Sequence, residues 1–191
     1  RATPTVINSV FNEFQFWDGR ADSSFNGAST AGGNDPDARI FEIQNSQIAP
    51  VSVLIDASSL ASQAVGPPVS ELEMSFIGRI WPDIGKKMLS LRPLAKQFVH
   101  AEDSLLGAHA DTVSGKGLVI SYTNLIQQAF QPAYWDTTEL VSVNGNSYSL
   151  MEANFSLFFG LAVQLYESTL ISDNSPFDKF QEGDSSAMTT Q

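Results

Sequence analysis

The sequence predicts a mainly α protein, irregular in its helix packing, with long loops and one small β-hairpin. Three observations carry that expectation. Apolar residues recur at helical spacing over residues 59–65, 75–91, 117–130 and 150–171. Residues 21–50 are rich in Gly, Ser, Asn and Asp and show no period until Arg39. Alternation about Asn144-Gly145, within residues 139–149, is the one strong hairpin signal.

Taken in order, Thr5 precedes an apolar-periodic run and marks a helix start, with Val6, Val10, Phe11 and Phe14 on one face. Trp17-Asp18-Gly19-Arg20 ends that run in a turn, where glycine supplies the unusual backbone angles and Asp18 can accept from nearby amides. By type alone Trp17 reads as a core aromatic. Residues 20–58 read as a loop insertion, and a loop of that length inside a domain usually has a task. Its Asn34, Asp35 and Asp37 are hard oxygen donors, but their spacing matches no calcium loop. The run at 75–91 is a helix interrupted near Pro82, with Phe76, Ile80, Ile84 and Met88 along a face. The run at 117–130 uses Leu118, Tyr122, Leu125, Ile126 and Ala129 and stops at Pro132. The run at 150–171 is apolar on most sides and therefore central. Ser172 to Pro176 punctuate its end, and residues 182–191 form a polar, flexible tail.

Composition limits the function classes. The 191 residues carry 21 acidic against 10 basic side chains, net −11, which argues against nucleic acid, whose binding requires clustered cations. The basic residues are uneven: Arg79, Lys86, Lys87, Arg92 and Lys96 fall in one segment, either a solvated face or a surface for an anionic group. No apolar run approaches the roughly 18–20 residues of a membrane span. Cysteine is absent, so neither a thiolate metal site nor a Cys-x-x-Cys-His haem attachment can reside in this chain. No nucleophile elbow, phosphate-cradling glycine loop or His-Glu-x-x-His is present, and no metal site is expected. His100 and His109 read as ordinary polar residues. The chain begins at Arg1 in place of methionine, as expected of a processed protein or a piece of a longer one.

The least generic stretch is residues 63–74. A helix-compatible run ends at Gly66-Pro67-Pro68, where neither proline can donate a backbone hydrogen bond and Pro67 should drive Gly66 out of the helical region. The chain then turns and presents Glu71 and Glu73. Paired carboxylates beside a turn suit acid–base work, glycoside hydrolysis included, or are simply solvated.

Several motifs in this order resemble the bacterial di-haem cytochrome c peroxidase and MauG superfamily. They are Arg1-x-Thr3-Pro4-Thr5-x-x-Asn8, Phe16-Trp17-Asp18-Gly19-Arg20-Ala21, and Ser59-Leu60-x-x-Gln63-x-x-Gly66-Pro67 leading to Glu73-Met74. Near the end come Leu165-Tyr166-Glu167-Ser168-Thr169-Leu170, Ser175-Pro176-Phe177-Asp178 and Gly183-Asp184. The resemblance implies that residues 1–191 are one segment lying between two haem-attachment motifs of a longer, periplasmic or secreted protein. The insertion at 20–58 resembles an extended branch of the superfamily, to which latex-cleaving di-haem oxygenases are related.

By that resemblance Glu73 is the acid–base carboxylate for a haem-bound peroxide. Gln63 lines the same distal pocket, and Met74 packs beside it. Trp17 bridges the two haems, braced by Asp18 and Arg20. Two c-type haems, attached outside this chain, are the implied cofactors. Implied partners are hydrogen peroxide or dioxygen, an electron-donor protein and the haem-bearing portions of the same protein. The superfamily's calcium often uses an asparagine after the first arginine, and Ala2 stands there instead. The contrasting expectations are a di-haem oxygenase related to the latex-cleaving enzymes, using dioxygen on an apolar polymer, and a haem-free helical binding or interaction module on the same scaffold.

Overall fold

The computed structural model describes residues 5–188. Its centre is helix α5 (Phe155–Glu167), which buries Phe155, Leu157 and Phe158. A helix apolar on most sides needs cover on more than one face. Helix α1 (Ser59–Ala64) packs along it where Gly160 leaves no room for a side chain: a Cβ there would lie 2.8 Å from the Phe25 ring and 3.2 Å from the Ala61 carbonyl oxygen. Gln164 of α5 then finishes the start of α1. Its Oε1 accepts from the Ala61 amide at 3.0 Å, while its Nε2 donates to the Ala57 carbonyl and the Ser58 hydroxyl, both at 3.1 Å. A side chain from another helix thus does the capping that Ser58 leaves undone.

The run at 150–171 is not one helix. It divides into α4 (Leu150–Ala153) and α5, and the chain leaves the helix at Glu167. The break is Asn154, wholly buried. Its amide accepts from the Phe41 N–H at 2.8 Å and donates to the Phe41 and Tyr134 carbonyls at 2.7 and 2.9 Å. An asparagine side chain competes here with helical backbone bonding and pairs with a strand instead.

That strand corrects the expectation of a single hairpin. Residues 40–51, inside the supposed loop insertion of 20–58, form β1 (Ile40–Gln44) and β2 (Gln47–Val51), paired antiparallel with Ile40 opposite Val51. The turn residues Asn45 and Ser46 have φ of 51° and 64°, a conformation that Asn-Gly advertises and Asn-Ser does not. Pro50 further disguised the strand, and it is tolerated because a two-stranded sheet has only edges. The hairpin signalled at Asn144-Gly145 is present as β3 (Leu140–Val143) and β4 (Asn146–Ser149).

Helix boundaries moved for identifiable reasons. Helix α2 (Trp81–Leu89) begins with Pro82 in its first turn, where a missing N–H costs nothing, so that proline starts the helix and does not interrupt it. Phe76 and Ile77 lie outside it and are exposed. Helix α3 (Tyr122–Ala129) starts at Ser121, whose hydroxyl accepts from the Asn124 amide at 3.1 Å. Leu118 sits before the helix, in a bridge with Ala110. Arg92 ties that region together through the Leu118 and Lys116 carbonyls and an ion pair with Asp111. Ser175 and Asp178 cap each other at α6 (Pro176–Gln181), a helix read from sequence only as punctuation.

The helix expected after Thr5 is a single 3-10 turn at Ser9–Phe11. Asn8 takes φ 63°, its N–H bonds the Leu170 carbonyl at 2.9 Å, and its Oδ1 accepts from the Ser172 amide at 2.7 Å. This segment is pinned to the chain beyond α5 and is not coiled on itself, so Val6, Phe11 and Phe14 stay exposed. The described residues hold six α-helices and two antiparallel hairpins, and no helix among them is long and apolar enough to cross a membrane.

Two outcomes test this packing. Asn154→Ala leaves three backbone groups without a partner, at about 1–3 kcal/mol each, so a urea titration should show a loss of at least about 2 kcal/mol with an unchanged m-value. Hydrogen bonds from Ser114, then from Arg92, hold the Asp111 carboxyl well below the usual carboxylate range. A depressed folded-state pKa stabilises above the unfolded value, near pH 4, and the effect fades as pH falls toward the folded value. Asp111→Asn should therefore lower the urea midpoint at pH 7, with the gap from wild type closing as pH drops below about 4.

Candidate functional site

Two loops build the site, and both hang from α1. The first is closed by an antiparallel bridge between Gln15 and Ala21. Gln15 is buried, and its Nε2 donates to the Ser9 carbonyl at 2.8 Å and the Ser59 hydroxyl at 3.1 Å, so the loop base is clamped to the first turn of α1. Between the bridged residues Phe16 takes φ 65° and Gly19 φ 68°, reversing the chain within five residues. The reversal throws Trp17 outward, 94% exposed, which corrects the reading of a core tryptophan. Beside it the Arg20 guanidinium meets both Asp18 carboxylate oxygens, at 3.1 and 3.0 Å, and lies 3.9 Å over the Phe16 ring. Partial desolvation pushes the Asp18 carboxyl up, but the Arg20 hydrogen bonds and charge outweigh it and hold the pKa below its ordinary value.

The second loop is the proline turn. Gly66 stays in the helical region, at φ −74° and ψ −64°, against the sequence expectation. The restriction imposed by a following proline acts partly through a Cβ, which glycine lacks. Pro67–Val69 form a 3-10 turn, and the Ser70 carbonyl then accepts from the amides of Glu73, Met74 and Ser75 at 3.2, 3.2 and 2.9 Å. Those three bonds curl residues 70–75 about one oxygen. Trp81 Nε1, donating to the Val65 carbonyl at 3.1 Å, fastens the start of the turn to α2.

The loops meet at Gly66. A Cβ there would lie 2.8 Å from the Thr30 methyl and 3.7 Å from the Phe16 ring. Around this contact is a solvent-open recess of about 290 Å³, whose lining includes Arg20, Ser29, Thr30, Gly66, Ser70 and Glu73. Of the residues singled out from sequence, Arg20 and Glu73 share it. Glu71 is exposed and does not line it, so geometry separates the two carboxylates. Gln63, half-buried on the last turn of α1, does not line it either. Trp17 and Met74 project from the surface, and Met74 is 68% exposed instead of packed beside Gln63.

Sequence reasoning missed Ser29, Thr30 and Ser70. The first two come from the stretch taken as an insertion, and only the glycine at 66 hinted that something must approach there. Asn34 and Asp35 spend their polar atoms within that stretch: Asn34 donates to Asp22 at 2.9 Å, and Asp35 accepts from Ser29 at 2.7 Å. Position 2, where the superfamily's calcium asparagine would stand, lies outside the described residues.

Large apolar side chains flank Glu73 in sequence and stand in water. Leu72 is 91% and Ile77 83% exposed, with Met74 and Phe76 between them. A run of large apolar side chains in water marks a face that something else covers.

The chain is 25% identical over 188 residues to cytochrome c peroxidase Ccp of Escherichia coli (strain K12), covering 98% of this chain but 22% of that protein. It therefore spans about a fifth of the length of the curated relative. No solved structure matches. The pattern of the di-haem cytochrome c peroxidase family matches residues 1–186, a span that takes in both loops of the site, and the chain belongs to that family.

Proposed function

We propose that this chain is the segment between the two haem-attachment motifs of a periplasmic or secreted di-haem peroxidase, and that it supplies the acid–base side of the peroxide pocket. The observation that carries the reading is the position of Glu73. It lines a solvent-open recess with Arg20, Thr30 and Ser70 and is flanked in sequence by the exposed apolar side chains Leu72, Met74, Phe76 and Ile77. Such a run suits a flat apolar macrocycle brought by a neighbouring segment. The donor set fits a pocket wall and not an attachment site, since the chain has no cysteine for a thioether bond. When bound, the haems supply the electrons that reduction of the peroxide consumes.

The chain's own residues would then act as follows. A carboxylate at Glu73 takes the proton from one peroxide oxygen and delivers it to the other, which leaves as water. Arg20, held by Asp18 and Phe16, keeps a fixed positive charge beside the same space. Gln63 orients the proline turn through its carbonyl, which accepts from the Gly66 amide at 3.1 Å. Trp17 offers an oxidisable indole to a haem-bearing segment, and its exposure on a short, clamped loop suits a contact between segments. Electrons reach the haems from a separate donor protein.

Glu73→Gln in the intact protein should cut peroxide turnover by about 10²–10⁴-fold while leaving the Soret absorbance per protein unchanged; full turnover would rule Glu73 out. Gly66→Val drives a branched side chain into Thr30 and Phe16. It should cost about 1–3 kcal/mol in a urea titration and also slow turnover, whereas a substitution that costs nothing would show that the two loops do not press together there.

A further inference from the structure

Reduction of one hydrogen peroxide to two waters consumes two protons and two electrons. The electrons are the donor's, and Glu73 can pass on only the protons it receives. Its apolar sequence neighbours, Leu72, Met74, Phe76 and Ile77, are the exposed side chains that a haem-bearing segment would cover, and covering a site removes water from it. The recess that Glu73 also lines is open to solvent and of mixed character, with Arg20, Thr30 and Ser70 beside Ala28, Val65 and Val69. Its volume of about 290 Å³ leaves room for several waters.

The recess is held open by bonds made elsewhere. Arg20 pairs with Asp18 at 3.0 Å, and no ion pair joins it to Glu73 among the described residues, so the two charges border the space without closing it. The Thr30 carbonyl accepts from the Asp22 amide at 2.9 Å, which fixes that wall. The Ser29 hydroxyl is committed, donating to Asp35 at 2.7 Å and accepting from Asn26 at 3.0 Å. The hydroxyls of Thr30 and Ser70 make no side-chain hydrogen bond among the described residues, and both residues line the recess. Lining residues whose hydroxyls are uncommitted are natural partners for ordered water in a solvent-open cavity. The titratable groups on the cavity are Arg20 and Glu73, with Asp18 behind Arg20 and Asp35 behind Ser29.

We propose that this recess is the proton-entry route to Glu73, with water held by Thr30 and Ser70 carrying protons from solvent to its carboxylate. The inference rests on the proposed role of Glu73. Thr30 and Ser70 are positioning residues here, since they act on water and not on peroxide.

The test uses the intact, haem-loaded protein. Ser70→Leu fills the recess, and Thr30→Val keeps its shape but removes a hydroxyl. Turnover in Ser70→Leu should fall at least about tenfold at neutral pH and recover on adding a small weak acid such as formic acid. Thr30→Val should fall less and show a larger solvent deuterium isotope effect. Independently of turnover, the Glu73 carboxyl infrared band, identified by its loss in Glu73→Gln, should respond more slowly to a pH jump in both variants. If Glu73→Gln is slow while both recess variants match wild type in turnover, acid response and infrared kinetics, the proton route is wrong and the Glu73 assignment stands. If Glu73→Gln keeps full turnover, both fall. Should Ser70→Leu fail to take up haem, the near-isosteric Thr30→Val decides alone.

Discussion

The absence of a side chain at Gly66 is the constraint on which the site depends. Helix α1 ends there, the Phe16 ring and the Thr30 methyl close on it, and the proline turn departs from it. Even one added carbon would stand 2.8 Å from Thr30, closer than nonbonded carbons approach. Three segments far apart in sequence are thereby brought to one point. The recess between Arg20 and Glu73 is the space left around that contact. Its dimensions follow from packing and not from any bond between the two charges.

The contact can be tight because α1 is held rigidly. Gly160 lets α1 and Phe25 approach α5, Gln164 completes the first turn of α1, and Gln15 and Trp81 fasten the two loops that leave it. Each is a polar group or a missing side chain on an otherwise apolar surface. Buried amides bonded this way fix one register where apolar packing alone would allow several. The rigid frame then carries a face that is not finished. Trp17, Leu72 and Ile77 stand almost fully in water, which suits a segment whose partners lie in the remainder of a longer chain.

Much of this was legible from residue order. The motif Phe16 to Ala21 and the motif Gln63 to Met74 pointed to the family before any geometry was known, though not to the meeting of Arg20 and Glu73 at one recess, and Asn144-Gly145 announced its hairpin. Three things were not legible, each for a physical reason. Trp17 looked like core because composition says nothing of a loop reversed by positive φ at Phe16 and Gly19. The helix at 150–171 looked continuous because the partner of Asn154 is Phe41, which lies too far off in sequence to register in a local pattern. Residues 20–58 looked like an unstructured loop insertion because Asn45-Ser46 and Pro50 disguise a hairpin, and its contact with the proline turn went unseen because Thr30 matters only once Gly66 is beside it. Periodicity finds faces; it does not find which faces meet.

The most direct measurement is an experimental structure of the intact protein with its haems in place. The Glu73 carboxylate should stand over the open side of one haem, with Leu72, Met74, Phe76 and Ile77 covered and the Arg20–Ser70 recess leading from Glu73 to solvent. A structure in which both haems lie away from residues 72–77, leaving Glu73 in bulk water, would contradict the assignment at its root.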